Sequence, residues 1–381
     1  MKAKTIRAVQ MRGGTSKGLF FRAEDMPSDK AARDRLLSRL IGSPDPYLRH
    51  TDGLGGATSS TSKVVLISRS LREDCDVDYL FGAVAIDTGL IDWTANCGNL
   101  SAAVGPFSIS QGLVDATEGE TIVRIWQQNI QKKIVAHVPT RNGEVIEEGV
   151  FMEDGVPFPG AEIVLEFLDP AEAGKKGLLP TGKPIDEIDI PDIGMLRLSF
   201  INAGNATVFV RANDLQLTGR ELPDALNRDS RLLAKLETIR AHAAVAMGLA
   251  RSAAEATRLR PATPKLAWVA APAGYRTSAG TDIDKSSIDI LARIVSMGRV
   301  HHAFTGTGSI ALAAAAALPG TVVSEVARTL PGLASRIGHP SGILSVAALL
   351  EQTPAGWRVE KATMSRSARR LMQGDVFVPP A

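Results

Sequence analysis

"NCGNLSAAVGPF" (residues 96–107) and "TGTGSIALAAAAALPG" (residues 305–320) decide how this chain is read. Each is a glycine turn followed by a run rich in small residues, alanine among them, ending at Gly-Pro or Pro-Gly. A helix so poor in polar side chains is expected to be buried all round. Strand-like segments surround both: "TIRAVQM", "GLFFR", "KVVLIS", "DVDYLFGAVAID", "TIVRIWQ", "KKIVAHV" and "AEIVLEFL" in the first half, and "MLRLSFI", "TVFVRA", "KLAWVAA", "SIDILARIVSM", "ILSVAALL" and "WRVEKATM" in the second. They are short, rich in β-branched and aromatic residues, and bounded by turn formers. Two further helices are predicted from apolar spacing and caps, in "DKAARDRLLSRLIG" (29–42) and "DSRLLAKLETIRAHAAVAMG" (229–248). The expected architecture is α+β: two similar lobes, each a mostly antiparallel sheet wrapped on one buried helix. The Pro-, Gly- and charge-rich stretch 168–194 sets the expected boundary near residue 185, giving lobes of 1–185 and 186–381.

Bulk properties exclude several classes. The chain has 381 residues, 43 basic and 41 acidic side chains, and a net charge of +2. No excess positive charge points to nucleic acid or a membrane surface. Two cysteines, Cys75 and Cys97, are too few for a disulfide framework and suit a reducing cytoplasm. No apolar stretch approaches the roughly 18 residues of a membrane span. The six histidines show no His-x-x-x-His pair, and there is no Cys-x-x-Cys, so no metal site is expected.

A second echo pairs "RGGTSKG" (12–18) with "GGATSSTSKVV" (55–65). Neither is a P-loop, because the lysine follows the hydroxyl residue and a strand follows the lysine. Each could be a plain hairpin turn. Glycine turns at helix N-termini also offer free amides and a positive dipole end, which suits an anion with several carboxylates. Cys97 lies in such a turn, where a thiol becomes more acidic and can exchange a proton; the competing reading is one more small buried residue. Lys63, taken alone, reads as a solvated strand-end lysine, and Cys75 as incidental.

"MRGGTSKGLFF", "GSPDPYLRHTDGLGGATSSTSK", "DVDYLFGAVAID", "NCGNLSAAVGPF", "LLPTG", "INAGNATVFV", "ETIRAHAAVAMGL", "HHAFTGTGSIA", "GHPSGIL" and "MSRSARRLMQG" together resemble the 2-methylaconitate isomerase (PrpF) family, in order and over nearly the whole chain. The resemblance implies a diaminopimelate epimerase-like fold of two pseudo-symmetric lobes with the active site in the cleft between them. It implies a cofactor-independent isomerase of an unsaturated tricarboxylate, acting in the 2-methylcitrate cycle of propionate catabolism. Lys63 and Cys97, on opposite sides of the cleft, would move a proton through a dienolate. Which is base and which is acid stays open, as does a cis–trans or an allylic-shift outcome. Implied substrate-binding residues are Thr15, Ser16, Lys17, Ser62, Asn96, Gly98, Asn99, Gly306, Thr307, Gly308 and Ser309. Related two-cysteine epimerases carry a second thiol where this chain has "FTGTGSI", so amino-acid racemisation is not expected. The "INAGN" stretch departs from the "DAGN" of many relatives, which leaves the part of Asn202 open. The alternative substrate is 4-oxalomesaconate, in a tautomerase of aromatic-acid breakdown; a lesser alternative is a non-catalytic carboxylate-binding protein. A homodimer is one expected assembly, which the sequence does not decide.

Overall fold

The computed structural model describes residues 5–171, 177–328, 333–354 and 356–378. The chain forms two compact units: Met1–Leu165 with Arg366–Ala381, and Glu166–Ser365. The expected boundary near residue 185 lies later in the chain than this division. The stretch 168–194 carries part of the second unit, because Asp186–Ile190 is a strand paired antiparallel with Gly194–Ala203. Residues 172–176 of that stretch lie outside the described residues. The C-terminal strand Ala368–Phe377 belongs to the first unit because it pairs along the whole of the first strand.

In the first unit, β1 (Thr5–Gly13) and β2 (Ser16–Arg22) form a hairpin whose last pair is Gly13 with Ser16. Its turn needs φ +52° at Gly14, a left-handed conformation open to glycine. β3 (Lys63–Arg69) runs parallel to β2, and β4 (Val77–Val84) antiparallel to β3. Gly119–Gln127 is parallel to β4, and Lys132–Arg141 is antiparallel to that strand. Alternation along these strands supplies two apolar faces. Leu19, Phe21, Val64 and Leu66 pack with Leu37, Leu40 and Ile41 of α1 (Lys30–Ile41). Phe20, between them in sequence, turns to the other face and meets Phe107 of α2 (Gly98–Ser110), with ring centroids 5.6 Å apart. Asp29 caps α1 through Ala32 N–H, and Gly42 ends it at φ +93°.

The helix α2 is buried from Gly98 to Ile109, as its composition predicts. It does not stop at Gly105-Pro106, as the sequence suggests, but runs on to Ser110 with Pro106 inside. Tertiary packing overrides the proline: a Cβ at Gly105 would lie 2.6 Å from Val138 Cγ2, so the helix is pressed onto the sheet there. Ser108 Oγ donates to Val104 O at 2.7 Å, which holds the turn beyond the proline. Truncating Phe107 in this core would cost about 3–5 kcal/mol.

The second unit repeats the pairing scheme. Gly194–Ala203 and Asn205–Arg211 form the hairpin, Lys265–Ala270 is parallel to its second strand, and Ile290–Ser296 is antiparallel to that. Ser335–His339 is parallel to Ile290–Ser296, and Gly342–Thr353 antiparallel to it. The helix Gly306–Ala317 takes the part of α2 and is buried from Gly306 to Ala316. On the other face, Leu236, Ile239 and Ala243 of the helix Ser230–Ala246 pack with Leu198, Phe200, Val208 and Val210. Each unit is therefore a mixed, mainly antiparallel sheet with a small-residue helix on one face and an amphipathic helix on the other. Among the described residues, no helix is long and apolar enough to cross a membrane.

Candidate active site

Lys63 opens β3 and Cys97 stands at the N-cap of α2. Both belong to the first unit, and their side chains touch. Lys63 Nζ lies 3.3 Å from Cys97 Sγ and donates to Ser16 Oγ at 2.9 Å. Burial leaves Lys63 8% and Cys97 6% exposed. Lys63 is thus neither solvated, as its local sequence suggests, nor separated from Cys97. Phe81 walls the amine, with its ring centroid 5.7 Å from Nζ.

The thiol's surroundings follow from its place at the helix start. Leu100 N–H points at Sγ from 3.4 Å, so the sulfur takes the role a serine or aspartate oxygen plays at an ordinary cap. The Cys97 carbonyl accepts from Ser101 Oγ at 2.9 Å and from Tyr79 OH at 3.3 Å. Burial pushes the Tyr79 hydroxyl well above its ordinary range, with the nearby Cys97 second in effect, so Tyr79 stays a neutral donor. The amides of Gly98 and Asn99, in the first turn, have no partner within the helix and present the positive end of its dipole.

The hydroxyl turn closes the constellation. Asn99 Nδ2 donates to Thr15 Oγ1 at 2.9 Å and lies 3.4 Å from Ser16 Oγ. The hairpin turn and the helix start interlock: a Cβ at Gly13 would stand 2.6 Å from Asn99 O. Thr15, Ser16, Lys63, Cys97, Gly98 and Asn99 are therefore brought together. Lys17 joins through its backbone, whose N–H donates to Ser60 O at 2.9 Å. Ser62 is buried but turns to His50, its Oγ 3.3 Å from Nδ1. Asn96, just before the cap, is 3% exposed.

In the second unit, Thr305 caps its helix by accepting from Gly308 N–H at 3.2 Å, and Ser309 Oγ donates to Gly306 O at 2.6 Å. Gly306, Thr307, Gly308 and Ser309 thus form the opening turn of a buried helix. Asn202 donates through Nδ2 to Gly177 O at 3.2 Å.

Three neighbours of the site escape a reading by motif. Tyr79 reaches Cys97 from the middle of β4. Arg366 Nε donates to Asn99 Oδ1 at 3.1 Å, and Glu153 Oε1 lies 3.4 Å from the same nitrogen. Desolvation lowers the Arg366 pKa, with Glu153 opposing that shift. Arg366 lies in "MSRSARRLMQG", but nothing in that stretch announces a partner 267 positions earlier.

Comparison with known proteins fixes the class. A solved hydroxyproline epimerase from Agrobacterium vitis shares the fold at TM-score 0.58 and 15% identity, covering 99% of this chain and 94% of that one. A crystal structure of methylitaconate-delta-isomerase matches at TM-score 0.78 and 38% identity, over 99% and 96% of the two chains. The fold is that of the diaminopimelate epimerase-like proteins, and the enzyme class is isomerase. A curated relative, 2-methyl-aconitate isomerase of Cupriavidus necator, is 51% identical over 98% of this chain and 97% of its own. The chain belongs to the PrpF protein family, whose sequence profile matches residues 3–379.

Proposed function

We propose that this protein interconverts isomers of 2-methylaconitate, without a cofactor, by proton transfer between Lys63 and Cys97. The 3.3 Å contact of Lys63 Nζ with Cys97 Sγ carries the reading, since it puts two proton-exchanging groups side by side in a buried turn rich in donors. The substrate reading is supported by 51% identity to a relative named for methylaconitate, against 38% to the solved enzyme named for methylitaconate.

One of the two groups takes the proton from the carbon that lies next to a carboxylate and is allylic to the double bond. The electron pair of that C–H bond passes into a dienolate spread over the double bond and the carboxylate. The loosened double bond rotates. The proton then returns to the same carbon for a cis–trans change, or to the far end of the allyl system for a double-bond shift. The Gly98 and Asn99 amides stabilise the developing negative charge, while the Thr15 and Ser16 hydroxyls hold a substrate carboxylate. The physiological setting that goes with this substrate is the 2-methylcitrate cycle of propionate catabolism, in the cytoplasm.

The test is an ultraviolet assay of purified protein against methylaconitate isomers and 4-oxalomesaconate in parallel. Faster turnover of methylaconitate is expected. A strong preference for 4-oxalomesaconate would replace the substrate reading, and binding without turnover of any such acid would make the protein a carboxylate-binding module.

A further inference from the structure

The donors and acceptors around Asn99 have a direction. Arg366 and Glu153 are 2% and 8% exposed. Glu153 Oε2 accepts from Ser367 N at 3.0 Å and from Ser367 Oγ at 3.2 Å, while its other oxygen faces Arg366. A guanidinium has donors only. The Asn99 atom 3.1 Å from Arg366 Nε is therefore its carbonyl oxygen, and its amide nitrogen is turned to Thr15 and Ser16. Lys63 Nζ also donates to Ser16 Oγ, at 2.9 Å. A hydroxyl has two lone pairs and one hydrogen. Both lone pairs of Ser16 thus face donors, and its hydrogen must point away from them. Thr15 Oγ1 accepts from Asn99 Nδ2, so its own hydrogen points away from that amide. The turn leaves no slack in this arrangement: a Cβ at Gly14 would stand 2.8 Å from Asn99 Oδ1 and 3.1 Å from Arg366 Cδ.

We infer that Arg366 and Glu153 are positioning residues which, through Asn99, hold the Thr15 and Ser16 hydroxyls as a pair of hydrogen-bond donors for a substrate carboxylate. The inference rests on the proposed reading only in taking the substrate to be a polycarboxylate. The two residues act on binding through the orientation of an amide and do not touch the reacting atoms.

The probe is tricarballylate, a saturated tricarboxylate that cannot isomerise, with binding measured by calorimetry and methylaconitate kinetics run beside it. Asn99→Asp keeps the size of the side chain but offers acceptors at both ends, so Thr15 and Ser16 would turn their hydrogens inward. An acidic residue in the first turn of a helix is favourable, so folding is retained. Tricarballylate affinity is expected to fall roughly ten- to hundredfold, the loss typical of hydrogen bonds to a charged group. KM should rise in proportion, by a larger factor than any fall in kcat, as for lost uniform binding. Arg366→Met should show the same split, with partial recovery in Arg366→Lys, which keeps a donor. Wild-type affinity in both Asn99→Asp and Arg366→Met would overturn the inference, as would a fall in kcat with KM unchanged, or a wild-type protein that binds no tricarboxylate. If Arg366→Met does not fold, Asn99→Asp decides alone. A wild-type protein that binds tricarballylate but isomerises nothing would sink the proposed function and leave this inference standing.

Discussion

The Lys63 backbone runs so close to Gly18 that a Cβ there would lie 2.9 Å from Lys63 O and 3.2 Å from Lys63 Cβ. Leu100 Cδ1, on α2, would be 3.1 Å from the same Cβ. The space at Gly18 thus keeps β3 against the helix that carries Cys97. Gly18→Ala should destabilise the protein by about 1–3 kcal/mol, the usual cost of overpacking. It should also depress kcat, because Lys63 shifts from the thiol. Urea unfolding and kinetics on the same variant check both halves. Unchanged kcat in a measurably destabilised variant would mean that the spacing of Lys63 and Cys97 does not matter.

The two cysteines differ in their surroundings, and their variants should differ too. Cys97 lies at a helix start beside an amine, whereas burial and the neighbouring Asp74 push the Cys75 thiol up. Cys97→Ser keeps a capping oxygen, so the fold should survive. Turnover should fall at least about a hundredfold, the lower end for a positioned acid–base group. Cys75→Ser should leave turnover unchanged. Equal losses from the two substitutions would remove Cys97 from the proposed chemistry.

Tyr79 gives a signature in alkaline unfolding. Its folded pKa is raised well above 10, chiefly by burial, while in the unfolded chain it ionises near 10. Above that pH the unfolded state binds fewer protons than the folded state, so stability falls as pH rises. Tyr79→Phe should lose about 1 kcal/mol at neutral pH with its hydrogen bond to Cys97 O. It should then lose less than wild type between about pH 10 and 11.5. Denaturant midpoints of both proteins over that range test it, and parallel curves would refute it.

Much of this fold can be read from residue patterns. The two buried helices follow from runs with no polar face, and the hairpin at Gly14 follows from a glycine pair between apolar strands. Pairing is less legible. That β2 lies parallel to β3, and that the last strand returns to β1, depend on contacts far apart in sequence, and nothing in "ARRLMQGDVF" names its partner. The helix end at Pro106 misleads because packing at Gly105 and Val138 outweighs a local breaker. The site divides in the same way. Cys97, Thr15, Ser16 and Asn99 lie in glycine-rich turns whose chemistry is visible in a short window, whereas Lys63, which alone reads as a solvated strand-end lysine, joins them through the family resemblance and its contact with Cys97. Glu153, Arg366 and Tyr79 lie in ordinary-looking segments and acquire their roles only from tertiary neighbours.

The two Thr-Ser-Lys stretches place their lysines differently. Lys17 follows the hydroxyl turn on β2, whereas Lys63 is buried against Cys97. Lys17→Met should raise KM with little change in kcat, as a loss of supporting charge does. Lys63→Met should depress kcat by roughly a hundredfold or more. Steady-state kinetics on the two variants would show the split, and a reversed pattern would mean the lysines are matched to the wrong stretches.

Exchange of the substrate's allylic hydrogen with deuterated water tests the Lys63–Cys97 proton transfer most directly. Methylaconitate incubated with wild-type protein should take up deuterium at the allylic carbon, followed by proton magnetic resonance. In Lys63→Met that uptake should vanish at the carbon Lys63 serves, while tricarballylate still binds. Exchange at the wild-type rate in Lys63→Met would contradict the account.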